Sequence, residues 1–347
     1  MMSALVVAPV IVLAAACSSS SGGKGTSPKA AGTPAQLTKI TVDSSFPYAS
    51  APSTNCILDY GKAKGYFAQN GLDPTLNAFS GTVPLIAAVA SGHVDFGAGA
   101  GVANVIQADA KGAAVKIVGT RLNDSVLSVV SLSKNPINKP SDLIGKKIAY
   151  SPATVSGIYF DLFLKKEHIN PSQVHIVGVE SSAYASALQS GQIDGYVSYG
   201  DTSITRQEAV GGDPVIMQLS DYGVALKPSD SYIVSDSTVS SRGPIVAAFL
   251  KSVHEAYAYV HQHQATAIPE ASEICASAHA GIKVAFAEKQ MKLMFQYRTA
   301  QFSNPDFMKV DEAGVESQIQ ALVGAHQLSN PKPATDYFTN QFVPSGS

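Results

Sequence analysis

The sequence predicts an α/β protein of two similar lobes, each a mostly parallel sheet flanked by helices, with extra helices at the C-terminal end. Three observations predict it. First, one unit occurs twice: AVASGHVD at 88–95 and ALQSGQID at 187–194, an offset of 99 residues. Each reads as a helix end, a Ser-Gly stop and the start of a strand, with Gly in the left-handed position that ends a helix. Second, the flanks match. Phe67–Pro74 (FAQNGLDP) and Lys165–Pro171 (KKEHINP) both end a helix with Asp-Pro or Asn-Pro before a strand. Helices alternating with short strands imply parallel sheets joined by crossovers. Third, 347 residues suit about two domains.

The elements follow in order. Leu5–Ala16 is an uncharged apolar run of the length of a signal-peptide core, too short to span a bilayer. Residues 1–16 are therefore expected to be a signal peptide. Ala14-Ala15-Ala16-Cys17 looks like a bacterial lipobox, which implies cleavage before Cys17 and a lipid on that residue; an unlipidated signal peptide is the alternative. Residues 17–37 hold almost only small and polar residues and read as a flexible tether.

Ile40–Ser44 is a first strand, and a helix is expected from about Ser53 to Gln69. Strands follow at Thr75–Phe79, at 94–99 (VDFGAG), at Val115–Gly119 and at Ser128–Ser133. Pro140–Ile144 is a capped turn, Thr154–Glu167 a helix, and Val174–Val179 and 193–199 (IDGYVSY) strands. Beyond the strand Tyr232–Ser235 the chain turns helical. Val246, Phe249, Leu250, Val253, Tyr257 and Val260 form one apolar stripe at helical spacing. Glu288–Tyr297 and Asp311–His326 are two more helices.

Composition excludes some functions. Lys+Arg is 24 against Asp+Glu 26, so no basic excess points to nucleic acid. Gly97–Gly101 (GAGAG) lacks the GxGxxG spacing of a dinucleotide loop, and neither a phosphate-binding P-loop nor a GxSxG elbow is present. His261 and His263, two apart, face different sides of a helix, and with His254 read as a solvated helix end rather than a metal site. No cofactor is expected, and no nucleophile–base set suggests an enzyme. Cys56 and Cys275 are expected as buried free thiols; a disulfide is the alternative in an oxidising compartment.

Five segments carry a resemblance: 63–101 (AKGYFAQNGLDPTLNAFSGTVPLIAAVASGHVDFGAGAG), 139–157 (KPSDLIGKKIAYSPATVSG), 187–201 (ALQSGQIDGYVSYGD), 246–263 (VAAFLKSVHEAYAYVHQH) and 311–328 (DEAGVESQIQALVGAHQL). In order and spacing they resemble the extracytoplasmic solute-binding proteins of ABC importers, in the SsuA/THI5-like (NMT1) branch. That resemblance implies a type II periplasmic-binding-protein fold, or Venus flytrap. One lobe would be 38–122 plus 236–347 and the other 123–235, with hinge crossings near Arg121–Ser125 and Gly223–Tyr232. It implies a small solute (an aliphatic sulfonate, taurine or nitrate, alternatively an aminopyrimidine thiamine precursor) held between the lobes. It also implies a membrane permease and its ATPase as partners, a monomeric state, and a place on the outer face of the cell membrane. The pyrimidine synthases of the group use a cysteine-rich motif that is absent here.

Ligands of such sheets bind at the carboxyl ends of the strands, where helix amino termini converge. The residues there are Ser44, Ser45, Phe46 and Tyr48; Ser80, Gly81 and Thr82; and Gly99, Ala100 and Gly101. In the second lobe they are Pro152, Ala153, Thr154 and Ser156; Ser181 and Ser182; and Tyr199 and Asp201. In the family an aromatic, often Trp, commonly stands at the position of Tyr199, with an acidic residue and Pro after it; here Gly200-Asp201 follows. Arg121 is placed to bind an anion, whereas Asp124 and Asp201 would favour an amine; the alternative is that all three are solvated hinge residues.

Overall fold

The computed structural model describes residues 36–123, 126–151 and 154–345. From Gln36 onward the chain packs as one compact unit. Its strands are β1 (Thr38–Ser44), β2 (Leu72–Ala78), β3 (Phe96–Gly101), β4 (Val115–Leu122), β5 (Leu127–Leu132), β6 (Lys147–Ala149), β7 (His175–Val177), β8 (Gly195–Tyr199), β9 (Pro214–Gln218) and β10 (Asp230–Ser235). Its helices are α1 (Pro52–Ala63), α2 (Tyr66–Gln69), α3 (Thr82–Ala90), α4 (Val102–Asp109), α5 (Val155–Lys166), α6 (Tyr184–Ser190) and α7 (Gly200–Ala209). They continue with α8 (Asp236–Ser241), α9 (Gly243–Gln262), α10 (Gln264–Ala278), α11 (Val284–Tyr297), α12 (Thr299–Phe302) and α13 (Glu312–Gly324).

Two five-stranded sheets run β2-β1-β3-β10-β4 and β7-β6-β8-β5-β9. In each, three strands are parallel and the fourth position is antiparallel to both neighbours. β10 takes that place in the first sheet and β5 in the second. The expected boundary at 235 therefore needs correction. Asp230–Ser235 was expected in the second lobe, yet it hydrogen-bonds β3 and β4 of the first. The returning chain completes the first sheet before it enters the C-terminal helices.

The repeated unit has a shared physical cause. Gly92 and Gly191 adopt φ +74° and +80° behind α3 and α6, which only glycine adopts without strain. The carbonyls of Ala88 and Ala187 each accept two backbone N–H groups across the stop. The Asp that closes each unit then braces a neighbouring strand. Asp95 accepts the Thr41 N–H at 2.8 Å, and Asp194 accepts the Lys147 N–H at 2.8 Å. Thr41 lies on β1 and Lys147 on β6, the equivalent strands of the two sheets.

The expected helix from Ser53 to Gln69 is broken at Gly65, whose φ of +81° separates α1 from α2. The apolar stripe of α9 is fully buried against α1, α2 and β2. The opposite face of the first sheet is covered by α3, α4 and α13, and the second sheet is packed between α5 and α6. Cys56 and Cys275 are not free thiols. They form a disulfide with Cα atoms 5.1 Å apart, because α1 and α10 lie against each other with both cysteines on the shared face.

Candidate functional site

A cleft of about 970 Å³ opens between the two sheets. Five helices begin on it: α1 at Ser53 and Thr54, α3 at Thr82, α4 at Gly101, α5 at Thr154 and α7 at Tyr199. The first N–H groups of any helix have no partner within the helix. At α5 the Thr154 hydroxyl accepts the Gly157 N–H at 3.2 Å. The other four helices start without a side-chain cap. At α7 the Gly200 N–H already donates to the Val126 carbonyl at 2.8 Å and the Thr202 N–H to Asp201 Oδ1 at 2.9 Å. At α1, α3 and α4 the positive ends of the helix dipoles favour an anion in the cleft.

Of the residues expected at the site, Thr82, Gly99, Arg121, Thr154, Ser156, Tyr199 and Asp201 line the cleft, together with Phe46, Gly101 and Ser181. Others stand behind the wall or away from it. The Ser44 hydroxyl donates to Asn55 Oδ1 at 2.7 Å and that of Ser45 to the Gly99 carbonyl at 2.5 Å. Gly81 donates its N–H to the Ser45 carbonyl. Ala100 is fully buried in the sheet. Tyr48 turns away and stacks on His279 with ring centroids 3.5 Å apart. Ser80 and Ser182 are exposed outside the cleft lining. Cys17, Asp124, Pro152 and Ala153 lie outside the described residues.

The charged residues differ most from expectation. Neither Arg121 nor Asp201 is a solvated hinge residue. Arg121 donates from Nε to Asp230 Oδ1 at 3.2 Å and from Nη2 to Oδ2 at 3.0 Å, and its Nη1 donates to Asn55 Oδ1 at 3.2 Å. Burial works against its charge and the Asp230 carboxylate more than offsets this, so the guanidinium titrates above its ordinary value. Asp201 accepts from Arg298 Nη1 at 2.5 Å, and that partner cancels the charge expected to attract an amine. Burial raises the Tyr199 phenol, and Asp230 raises it further. Tyr199 therefore stays a neutral hydroxyl at the cleft wall.

Sequence reasoning missed Asn55, Asp230 and Arg298. Asn55 was discoverable, since it lies in the first turn of the helix after the first strand. Its amide donates to the Phe46 carbonyl at 2.9 Å and holds the cleft loop. Asp230 required knowing that β10 returns to the first sheet. Arg298 sits between α11 and α12, 97 residues from Asp201, and no local pattern marks it.

The comparisons agree with this geometry. A family model described as NMT1/THI5 like matches residues 56–267. The chain is 28% identical over 226 residues to the taurine-binding periplasmic protein of Escherichia coli (strain K12), covering 64% of this chain and 66% of that protein. It is 25% identical over 205 residues to the 4-amino-5-hydroxymethyl-2-methylpyrimidine phosphate synthase of Schizosaccharomyces pombe, covering 56% of this chain and 58% of that one. The matches thus span less than two thirds of either relative's length. The solved periplasmic aliphatic sulphonate binding protein SsuA from Escherichia coli superimposes with a TM-score of 0.68 at 14% identity, over 89% of this chain and 94% of that chain. At that identity the likeness establishes the periplasmic-binding-protein fold. Fold, cleft and family model converge, and the chain belongs to the NMT1/THI5-like family.

Proposed function

We propose that this protein is the substrate-binding component of an ABC importer, which takes a small anionic solute between its lobes and delivers it to a permease. One observation carries the reading: three helices, α1, α3 and α4, start on the cleft without a side-chain cap, so the positive ends of their dipoles converge on one space. An anion fits such a site, and closure of the lobes over it needs no bond chemistry. Among the described residues no helix is long and apolar enough to cross a membrane. In this reading the lipid on Cys17 and the tether behind it hold the monomeric binding unit at the outer membrane face. The taurine and sulphonate relatives support a sulfonate-like ligand. The synthase relative supports a second reading, an aminopyrimidine ligand.

Thermal unfolding of residues 37–347 against alkanesulfonates, taurine, nitrate, aromatic carboxylates and aminopyrimidines tests it. A ligand at 100 times its Kd adds about 2.7 kcal/mol, enough to raise Tm by several degrees. A shift with one of these classes and no turnover of it supports the reading. No shift with any, or conversion of a bound compound to product, overturns it.

A further inference from the structure

The chain passes between the sheets twice. It leaves the first after Leu122 at the end of β4 and returns before Asp230 at the start of β10. The two crossings touch, since the Ser229 N–H and the Ser229 hydroxyl both donate to the Leu122 carbonyl, each at 2.9 Å. Rotation of one lobe against the other is absorbed by backbone dihedrals at these two places.

Each crossing is gripped by one glutamine from the C-terminal helices. Gln301, on α12, brackets the first. Its Oε1 accepts the Asn123 N–H at 2.9 Å and its Nε2 donates to the Arg121 carbonyl at 3.1 Å, one bond on either side of Leu122. Gln318, on α13, grips the second. Its Nε2 donates to two successive carbonyls, Lys227 at 3.0 Å and Pro228 at 2.7 Å. Gln301 is 6% exposed and Gln318 1%. α13 also lies close against the second crossing, since a Cβ on Gly314 would stand 2.5 Å from the Lys227 carbonyl oxygen.

Packing alone does not call for an amide at either place, because Leu or Met fills a similar volume. The four bonds instead fix the directions of peptide groups within each crossing. Turning a dihedral between Arg121 and Asn123, or between Lys227 and Pro228, swings one group away from its amide. At that depth the lost bond leaves a buried polar group unpaired, so the turn is resisted. We infer that Gln301 and Gln318 are positioning residues for lobe movement: they hold both crossings at one angle and set how readily the lobes turn. α12 brings this control close to the cleft, because Arg298, which lines it, is three residues before Gln301. The inference rests on the lobe closure of the reading above and adds where resistance to that movement is built.

Double electron–electron resonance on the chain from Gln36, which packs as one unit, tests it through the distance between the lobes. Spin labels go on Ser91→Cys and Ser190→Cys, exposed and equivalent positions in the two copies of the repeat. The two native cysteines are joined in a disulfide and take no label. Gln301→Leu and Gln318→Leu should each broaden the distance distribution about 1.5-fold or more, as freed crossings populate further angles. Gly314→Ala keeps every hydrogen-bonding group but presses α13 against Lys227, and should shift the mean distance. Ser272→Ala is the control. It removes a buried bond to the Ile268 carbonyl within α10 and should leave the distribution unchanged, whatever it does to Tm. Should a leucine variant fail to fold, Gln301→Glu, which keeps the acceptor for Asn123 and loses the donor to Arg121, tests the first crossing, and Gly314→Ala the second. Distributions that match the parent in these variants, even with Tm lowered, reduce the glutamines to packing and overturn the inference. The measurement uses no ligand, so that result leaves the anionic-solute reading standing, and failure of the ligand panel leaves the distances as measured.

Discussion

Arg298, at the junction of α11 and α12, places Nη1 2.5 Å from Oδ2 of Asp201 in the first turn of α7. The pair is buried, and it ties the second sheet's helix to the C-terminal segment. Gln290 on α11 adds a bond to the Thr205 hydroxyl of α7 at 2.9 Å, and α11 also packs on α1 and α10. The C-terminal helices therefore join the lobes as well as extend the first one. Removing one member of a buried pair leaves the other charge without compensation. Asp201→Asn is expected to cost about 3 kcal/mol and lower Tm by roughly 5 °C or more. Asp201→Asn combined with Arg298→Met should recover part of that loss. An unchanged Tm in the single variant would show that the pair contributes nothing.

Gly99 is fixed by its neighbour Arg121. Its φ is +80°, and a Cβ there would collide with Arg121 Nη2 and lie 3.0 Å from Ser45 Oγ. Gly99→Ala should destabilise by about 2–4 kcal/mol and weaken ligand binding, since Arg121 must move and Asp230 with it. Gly112 is the control. Its φ is +90°, but a Cβ there would meet no atom within 4 Å. Gly112→Ala should cost only the backbone term, about 1–2 kcal/mol, and leave binding unchanged. Denaturant melts and titrations of both variants separate strain from collision.

The Cys56–Cys275 disulfide joins residues 219 apart in sequence. Its chief effect is on the unfolded chain, whose freedom it restricts. Reduction, or Cys56→Ala with Cys275→Ala, should lower stability by about 2–5 kcal/mol. Chemical melts with and without reductant measure it. Equal midpoints would refute the contribution.

Asp59 accepts from His279 Nε2 at 3.1 Å beneath the same helix pair. Burial pushes its carboxyl from 3.8 up to about 6, against the opposing pull of His279. The folded chain thus holds more protons here than the unfolded chain between about pH 4 and 6. Its contribution to stability falls as pH rises through that window and is level above it. Asp59→Asn cannot ionise. It should flatten the dependence of Tm on pH between 4 and 6 and melt no lower than the parent at pH 7. A markedly lower Tm at pH 7 would mean that the bond to His279 outweighs burial.

Much of the fold was legible in local pattern. The helix stops at Gly92 and Gly191, the strands behind them and the stripe of α9 all follow from short-range rules of conformation and burial. The candidate site was legible only in part, and the division has a physical basis. Thr82, Thr154 and Tyr199 line the cleft because they begin helices, and helix starts can be read from sequence. Ser80 and Tyr48 stood equally near strand ends, but a turn of the loop carried each away. Loop direction depends on partners such as His279, which lies 231 residues beyond Tyr48.

Local pattern is enough to define the chain as a duplicated α/β protein, to locate most elements, and to say which strand ends face a common cleft. These depend on neighbours a few residues apart. Long-range packing, in contrast, makes β10 complete the first sheet, brings the two cysteines together, and leaves Asp230 more open to the cleft than its partner Arg121. Each of those joins residues distant in sequence, 109 apart in the Arg121–Asp230 pair and 219 in the disulfide. Their energies come from burial and pairing that exist only once the sheets have formed, so no local pattern records them.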